Sequence, residues 1–520
     1  MKTTLVRQDS YFDSVFLMLL GRELKRLPGM ADASAVMATG ANLDLLGAMG
    51  WATEDLAAGP DDLVIALDGA DAAALERALE VAQKLLARKR VPAGAPAALA
   101  AAAAATPGAN LAVISLPAEY AVREARKALE LGLHVLLFTD KVALSDEIAL
   151  KALSREKGLL MMGPDCGTAI INGKPLCFAN AVSRGPVGVV GASGTGIQEV
   201  TCLVDRFRSG ISQAIGTGAR DLKSAGVGGS TTLMAIEALA RDDDTNVITV
   251  VSKPPARDLA ARVVEALELA GKPAVVHFIG LEPEPPRPGS VVRFAGNLEE
   301  TAAMAVALAE GRPYRPRVFT LPPEEIEAIL ERETRGILPA QRFLRGYYTG
   351  GTLADEAWIL LHRRTGAVHA LNQTDPAFVL ADPRVSVGHT VVDLGDDRFT
   401  ASRPHPMIDP GTRTERILAE LTDPGIAVVL MDLVLGYGSH GDPAGALAPA
   451  LAAMKQAARR RGGYLPVLAS ITGTPRDFQN LAGQQAALEA AGCVVLPSNH
   501  QAAMLAALVL DRLQDQGGAL

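Results

Sequence analysis

Two stretches about 157 residues apart carry the same punctuation, Ser193-Gly194-Thr195-Gly196-Ile197-Gln198-Glu199 and Gly350-Gly351-Thr352-Leu353-Ala354-Asp355-Glu356. Each reads as the start of a helix. The first follows the apolar run Val187-Gly188-Val189-Val190. The order is therefore strand, glycine turn, helix, which leaves backbone N–H groups pointing at whatever lies above the helix N-terminus. Two such turns suggest a shared anion, most simply a phosphate. Ser193, Gly194, Thr195 and Gly196 would hold it from one turn, and Gly350, Gly351 and Thr352 from the other.

The surrounding pattern is α/β. At 520 residues the chain is too long for one core and should hold about three or four domains. Residues 1–90 form a small α+β unit, with strands near 3–7, 35–38 and 63–67 and helices over 13–25 and 72–88. Residues 91–109 are rich in alanine and proline and read as a linker or a poorly defined helix. Over 110–180 two strand–helix steps close on Gly163-Pro164-Asp165-Cys166-Gly167-Thr168. Residues 181–311 repeat the alternation, with strands near 187–190, 213–215, 247–251 and 274–279, which implies a parallel sheet. A proline- and charge-rich connector carrying one helix spans 312–341. Residues 342–512 hold strands near 427–431, 467–471 and 494–496. Lys272-Pro273-Ala274 to Gly280 and Leu465-Pro466-Val467 to Gly473 share one pattern of proline, buried strand and glycine. A duplicated flavodoxin-like domain accounts for both repeats, with ligands expected where strands end and helices begin.

Composition excludes several classes of function. A net charge of −8 with interspersed signs offers no basic field for nucleic acid or an anionic membrane. The N-terminus is too polar for a signal peptide, and no run approaches the roughly 20 apolar residues of a membrane helix, so a cytoplasmic protein is expected. Cys166, Cys177, Cys202 and Cys493 lack paired spacing and the eight histidines are scattered, so no metal site is expected.

Met162-Gly163-Pro164-Asp165-Cys166-Gly167 followed by Gly185-Pro186-Val187-Gly188-Val189-Val190-Gly191-Ala192-Ser193-Gly194-Thr195 resembles the α subunit of succinyl-CoA synthetase. Residues 342–512 resemble the ligase domain of its β subunit, and the order of both on one polypeptide is similar to the FdrA family. The resemblance implies a Rossmann-like CoA-binding-type domain over 110–180 and two flavodoxin-like synthetase domains. It also implies that the paired glycine turns cradle the phosphate of a phosphohistidine. The sequence departs from that pattern. Residues 281–300 contain no histidine, and His277 sits inside an apolar strand, as a core residue would. No stretch resembles an ATP-grasp domain, and the N-terminal region lacks the early glycine fingerprint of the CoA site.

What survives is a phosphate cradle suited to an acyl phosphate. The FdrA resemblance implies a subunit of an oxamate carbamoyltransferase in allantoin and purine breakdown, with carbamoyl phosphate or phosphate as ligand and CoA as a further possibility. The expected partners are a small anionic substrate and other subunits in a hetero-oligomer. Arg220 and Lys253, near strand ends, are candidates for holding an anionic substrate. His440, among the glycines of Gly436-Tyr437-Gly438-Ser439-His440-Gly441, is the acid–base candidate. His389 and His405 are weaker cases, and Cys166 reads better as a packed thiol than as a nucleophile. Two alternatives stand beside carbamoyl transfer: an ADP-forming acyl-CoA synthetase working with a separate ATP-grasp subunit, and a non-catalytic assembly subunit.

Overall fold

The computed structural model describes every residue except 9, 11, 13, 54, 55, 60, 61, 89–97, 286, 374, 401, 402 and 518–520. The chain divides into two compact units, Met1–Gly108 with Thr400–Pro404, and Ala109–Phe399 with His405–Leu520.

In the first unit, strand Leu63–Gly69 lies between Lys2–Arg7 and Met30–Met37 in an antiparallel sheet. Successive side chains of a strand point to opposite faces. Leu63, Ile65 and Leu67 accordingly meet Leu17, Leu20 and Leu24 of helix Ser14–Lys25 and Ala78 and Ala82 of helix Ala72–Arg88. Val64 and Ala66 meet Trp51 and Leu46 on the other side. Leu46 belongs to helix Gly40–Ala48, which the sequence pattern does not announce because its apolar residues do not gather on one face. The expected helix start at Asp13 falls outside the described residues, as do positions 91–97 of the expected linker; Leu99–Ala105 is a short helix.

The second unit holds three sheets. Leu111–Ile114, His134–Leu137 and Met161–Met162 make a parallel three-stranded sheet with helices Ala118–Glu130 and Leu144–Glu156. Next comes a seven-stranded sheet. Its parallel part runs Ile211–Gly216, Arg184–Gly191, Val247–Ser252, Ala274–Phe278, Val292–Phe294 in spatial order, which is strand order 2-1-3-4-5, the flavodoxin arrangement. A hairpin, Thr168–Ile171 with Lys174–Cys177, extends it antiparallel. The sequence pattern assigns no strands to that hairpin, whose residues fall in the stretch expected to belong with 110–180.

The third sheet is parallel throughout. Phe343–Tyr348 stands between His389–Asp393 and Ile426–Val434, followed by Val467–Thr472 and Val494–Leu496, with Val368–His369 at the far edge. Leaving that edge strand aside, the order is again 2-1-3-4-5. The fold is α/β with two flavodoxin-like halves. Each half turns one pair of helices toward the other: Gly194–Arg206 with Leu298–Ala309, and Gly351–Thr365 with Asn499–Gly517. Val200, Val204, Ala302, Ala305, Val306, Leu353, Ala357, Ala502 and Ala506 lie in one continuous buried cluster spanning both sheets. The alanines among them, Ala302, Ala305, Ala357, Ala502 and Ala506, let the helices approach closely.

Candidate active site where two helix N-termini meet

The first-half helix begins at Gly194 and the second-half helix at Gly351, and the two starts touch. Ser193 and Thr352 hydroxyls hydrogen-bond directly, and the Thr352 N–H reaches Thr195 Oγ1 at 3.4 Å. Alanine at 350 would bring its Cβ to 2.9 Å from Thr195 Cγ2, so glycine is what permits this approach.

Not every expected donor is free. Ser193 is the N-cap and its hydroxyl accepts the Gly196 N–H. The Gly350 N–H donates to Asp432 Oδ2 at 2.7 Å, and the Thr349 N–H to Asp432 Oδ1 at 2.9 Å. Asp432 is fully buried beneath the turn and receives Arg413 Nη1 at 3.0 Å. Gly196, Gly350 and Thr352 therefore spend their amides within the protein, which corrects the expectation that all of these residues donate to a phosphate. Among the described residues no partner meets the amides of Gly194, Thr195 and Gly351, and these three residues also reach solvent. Their N–H groups, at two helix starts, make a small region of positive potential.

Lys253, at the end of strand Val247–Ser252, lies beside this point. Its Nζ pairs with Asp355 Oδ2 at 2.6 Å and stands 3.9 Å from where a Cβ on Gly351 would lie. Asp393 is closer still, with Oδ2 2.5 Å from that Cβ position; its Oδ1 accepts the Gly395 N–H at 2.8 Å. Burial first, then Asp355 and Asp396, pushes the Asp393 carboxyl up to about 7 against the pull of Lys253 and the Gly395 N–H. Burial opposes the charge on Lys253, but Asp355, Asp393 and Asp165 outweigh it and hold the ammonium above its ordinary range.

Asp165, held at φ +58°, follows the cis Gly163–Pro164 turn and is exposed. Desolvation first, then Asp140 and Asp397, raises its carboxyl to about 7, while Arg220 and Lys253 pull the other way. Lys223 is lowered by burial and then by Lys253. Near the helix starts, Asp393 and Asp165 are thus held above the ordinary carboxylate range while Lys253 is held charged.

Of the other sequence candidates, Arg220 is anchored. Its Nε pairs with the buried Glu147 at 2.7 Å and its Nη2 donates to Val142 O at 2.7 Å. Glu147 also pairs with Lys151, which binds Asp221 at 2.6 Å, and Asp221 caps helix Ser230–Arg241 through the Thr231 and Thr232 amides. The Arg220 charge is therefore tied into a network that fixes the turn rather than offered singly to a ligand. His440 is not brought to the helix starts by any described contact. Its Nδ1 accepts the Asp442 N–H at 3.0 Å and its backbone meets Met407 and Gln479.

His389 Nδ1 accepts the Leu344 N–H, joining two strands. His405, which burial lowers to about 4, has Nε2 2.4 Å from where a Cβ on Gly395 would sit. His277 is buried, contacts Ala295 O at 2.9 Å and is lowered by burial to about 4. The Cys166 thiol is buried and pushed up to about 12 by that burial.

Sequence reasoning marked the strand-end loop Val391–Asp397, which holds Asp393, as a place for function without naming a role for it, and passed over Asp355 and Asp432 as site residues. The available signal was a single aspartate inside the apolar run Ile426-Ala427-Val428-Val429-Leu430-Met431-Asp432-Leu433-Val434, a buried charge that must be paired.

This architecture agrees with known families. Residues 347–509 match the CoA-ligase family and residues 182–280 the CoA binding domain family. The uncharacterized protein YahF of Escherichia coli (strain K12) is 41% identical over 505 residues, covering 96% of this chain and 97% of YahF. The chain belongs to the YahF family. Beyond it, the succinate–CoA ligase [ADP-forming] subunit alpha 2 of Archaeoglobus fulgidus is 25% identical over 183 residues, 34% of this chain and 61% of that subunit. The ATP citrate lyase from Methanothrix soehngenii, in complex with citrate and coenzyme A, aligns over 46% of each chain at 18% identity with a TM-score of 0.34. The two family matches show CoA-ligase and CoA-binding domains, and nothing among them supports the carbamoyl transfer placed first on sequence grounds.

Residues 1–130 of this YahF relative match a further family, described as "AllF, heavy metal-associated domain". Heavy metals of the soft and borderline classes are held by thiolates, thioethers and imidazoles. Residues 1–130 contain neither cysteine nor histidine, and among the described residues no cluster of three or more His, Cys, Asp or Glu could hold an ion. The segment does not fit a thiolate- or imidazole-bound metal.

Proposed function

We propose that the cleft transfers an acyl group between CoA and phosphate, as one half of an ADP-forming acyl-CoA synthetase reaction whose nucleotide step belongs to a separate subunit. The observation that carries this reading is the set of amides at Gly194, Thr195 and Gly351, without a partner among the described residues, beside the Lys253 ammonium. They would hold a phosphate by backbone donors and one point charge. The CoA-ligase and CoA-binding matches support the same class.

A candidate place for CoA lies on the helices of the three-stranded parallel sheet. A cavity of about 500 Å³ is lined by Arg123, Arg126 and Lys141 together with Glu119 and Asp146, with Ala118 and Ala143 at the starts of two helices. Neither helix has a side-chain cap, so basic side chains and free amides would meet the phosphates of CoA. The cavity is outside the 182–280 match, in the stretch read from sequence as CoA-binding-type. Lys141 follows Asp140, whose charge acts on Asp165 in the cleft.

In the reaction a phosphate oxygen attacks the thioester carbonyl. The carbon–sulfur bond breaks as the carbon–oxygen bond forms, giving acyl phosphate, and the departing sulfur takes a proton to become the CoA thiol. Asp165 or Asp393, each raised to about 7, can carry that proton at neutral pH. The amides and Lys253 stabilise the charge on phosphate.

The test is phosphate-dependent release of CoA thiol from acetyl-CoA and succinyl-CoA, by the protein alone and with an ATP-grasp subunit. Lys253→Met should lower the rate by about 100-fold. No phosphate-dependent release under either condition overturns the reading. The lack of histidine over residues 281–300 favours a second reading, in which carbamoyl phosphate arrives already activated and is exchanged with oxamate as the FdrA resemblance implies. Carbamoyl transfer without CoA turnover would select it.

A further inference from the structure

Asp393 closes strand His389–Asp393, and its two carboxylate oxygens have different surroundings. Oδ1 is pinned, since it accepts the Gly395 N–H at 2.8 Å. Oδ2 lies against the start of the second-half helix, 2.5 Å from where a Cβ on Gly351 would stand, and Lys253 Nζ is 3.9 Å from that same position. Among the described residues no donor meets Oδ2, and Asp393 is half-buried. This oxygen is therefore open at the point where the Gly351 amide and the Lys253 ammonium come together.

The neighbouring carboxylates are engaged elsewhere. Asp355 is paired with Lys253 at 2.6 Å. Asp396 accepts from Asn372 Nδ2 at 2.8 Å and from the Arg398 N–H at 3.0 Å, and Asp432 holds the Thr349 and Gly350 amides and Arg413. Asp393 thus brings a free acceptor to a cradle of donors. An ionised carboxylate has lone pairs and no hydrogen to offer, so beside a fully ionised anion it repels. The repulsion becomes a hydrogen bond when the anion carries a proton of its own.

Hydrogen phosphate carries one. Above neutral pH inorganic phosphate is mostly the dianion with a single P–OH group, whereas sulfate is a dianion of the same shape with none. We propose that Asp393 makes the cradle selective for phosphate over sulfate: its Oδ2 accepts the P–OH hydrogen, while the Gly194, Thr195 and Gly351 amides and the Lys253 ammonium meet the other oxygens. Such selectivity comes from the repulsive element as much as from the attractive one. The inference rests on reading the cleft as a phosphate site and adds which anion that site accepts.

The protonation state of the carboxyl sets the sign of the effect. Burial lifts it to about 7, with Asp355 and Asp396 adding to the lift and the Gly395 N–H and Lys253 opposing it. His405, packed against Gly395, is lowered by burial to about 4 and is uncharged at neutral pH. Above about 7 Oδ2 accepts, and sulfate is excluded. At lower pH the protonated carboxyl donates, and sulfate, whose own charge does not change over this range, is admitted.

Calorimetric titration of the full chain with phosphate and with sulfate, at pH 8 and matched ionic strength, is the test. Phosphate should bind at least about 100-fold more tightly than sulfate, and sulfate should tighten at pH 6. Asp393→Asn puts an amide donor in the same volume. It should weaken phosphate, strengthen sulfate and bring the two within about tenfold, with no further gain for sulfate at pH 6. Asp355→Asn removes an equal charge nearby and should move both anions together, changing their ratio by less than about threefold. Circular dichroism checks that both variants are folded. Binding of neither anion, equal binding of the two by the unsubstituted protein, or an unchanged ratio in Asp393→Asn overturns the proposal. Phosphate selectivity without phosphate-dependent thiol release leaves it standing and removes the acyl-transfer reading, and thiol release without discrimination between the anions does the reverse.

Discussion

Glu199 and Glu356 occupy equivalent positions five residues into the two helices that meet at the cleft, and each caps a helix of the opposite half. Glu199 accepts the Asn499 N–H at 3.1 Å, at the start of Asn499–Gly517. Glu356 accepts the Leu298 N–H at 2.8 Å, at the start of Leu298–Ala309. Asn499 joins the two, since its side chain also donates to Glu356 at 2.8 Å.

Burial raises both carboxyls to about 7, so the native state holds protons that the unfolded chain releases. The contribution of these two groups to stability should fall as pH rises from about 4.5, the ordinary value, through about 7, and then level off, against the opposite trend from the buried His277 and His405. Each group adds a slope of up to about 1.4 kcal/mol per pH unit inside that window. Urea unfolding at pH 5 and pH 8 measures it. Glu356→Ala should shrink the difference and cost roughly 1–3 kcal/mol by orphaning the Leu298 and Asn499 donors.

The two helix starts should respond unequally to the same substitution. An alanine Cβ at 194 meets only Thr168 Oγ1, at 3.3 Å, whereas at 351 it meets Asp393 Oδ2 at 2.5 Å. Gly194→Ala should change stability by less than about 1 kcal/mol and keep CoA turnover. Gly351→Ala should displace Asp393 and lower turnover by about tenfold or more. Equal effects in a thiol-release assay would contradict this asymmetry.

Thiol titration should find the cysteines quiet. Burial pushes Cys166 to about 12, Cys177 and Cys493 to about 11, and Cys202 well above its ordinary value, so little thiolate exists at pH 8. Native protein should react with an aromatic disulfide reagent at least about tenfold more slowly than free cysteine. All four thiols should appear after unfolding in urea.

Metal analysis checks the mismatch at the N-terminus. Equilibrium dialysis of the whole protein against Zn²⁺ or Cu⁺ should leave no stoichiometric ion that survives a weak chelator, because residues 1–130 supply no thiolate or imidazole. An ion retained at one per chain and lost on deleting residues 1–108 would refute it.

The doubled α/β pattern was legible because strand and helix alternate with clear breaks at the glycine turns. Phe343–Tyr348 escaped notice because Arg345 interrupts its apolar run; that guanidinium is buried against Glu420 at 3.0 Å and Asp423 at 2.7 Å, partners distant in sequence. The same reason hid much of the cleft. That Gly350 gives its amide to Asp432, or that Arg220 answers to Glu147, depends on pairings across many tens of residues. Composition and spacing cannot register these. Lys253 was legible by its place at a strand end, while Asp355 looked like an ordinary helix-surface residue until its partner from the other half was set beside it.

The four helices packed between the two sheets belong to one polypeptide and share one buried cluster. A cleft assembled between separate subunits falls apart on dilution, at a concentration set by their affinity. Here both walls arrive already joined, so the geometry at Gly194 and Gly351 should be indifferent to protein concentration, and specific activity at this cleft should stay level down to the nanomolar range in any assay that needs no second chain.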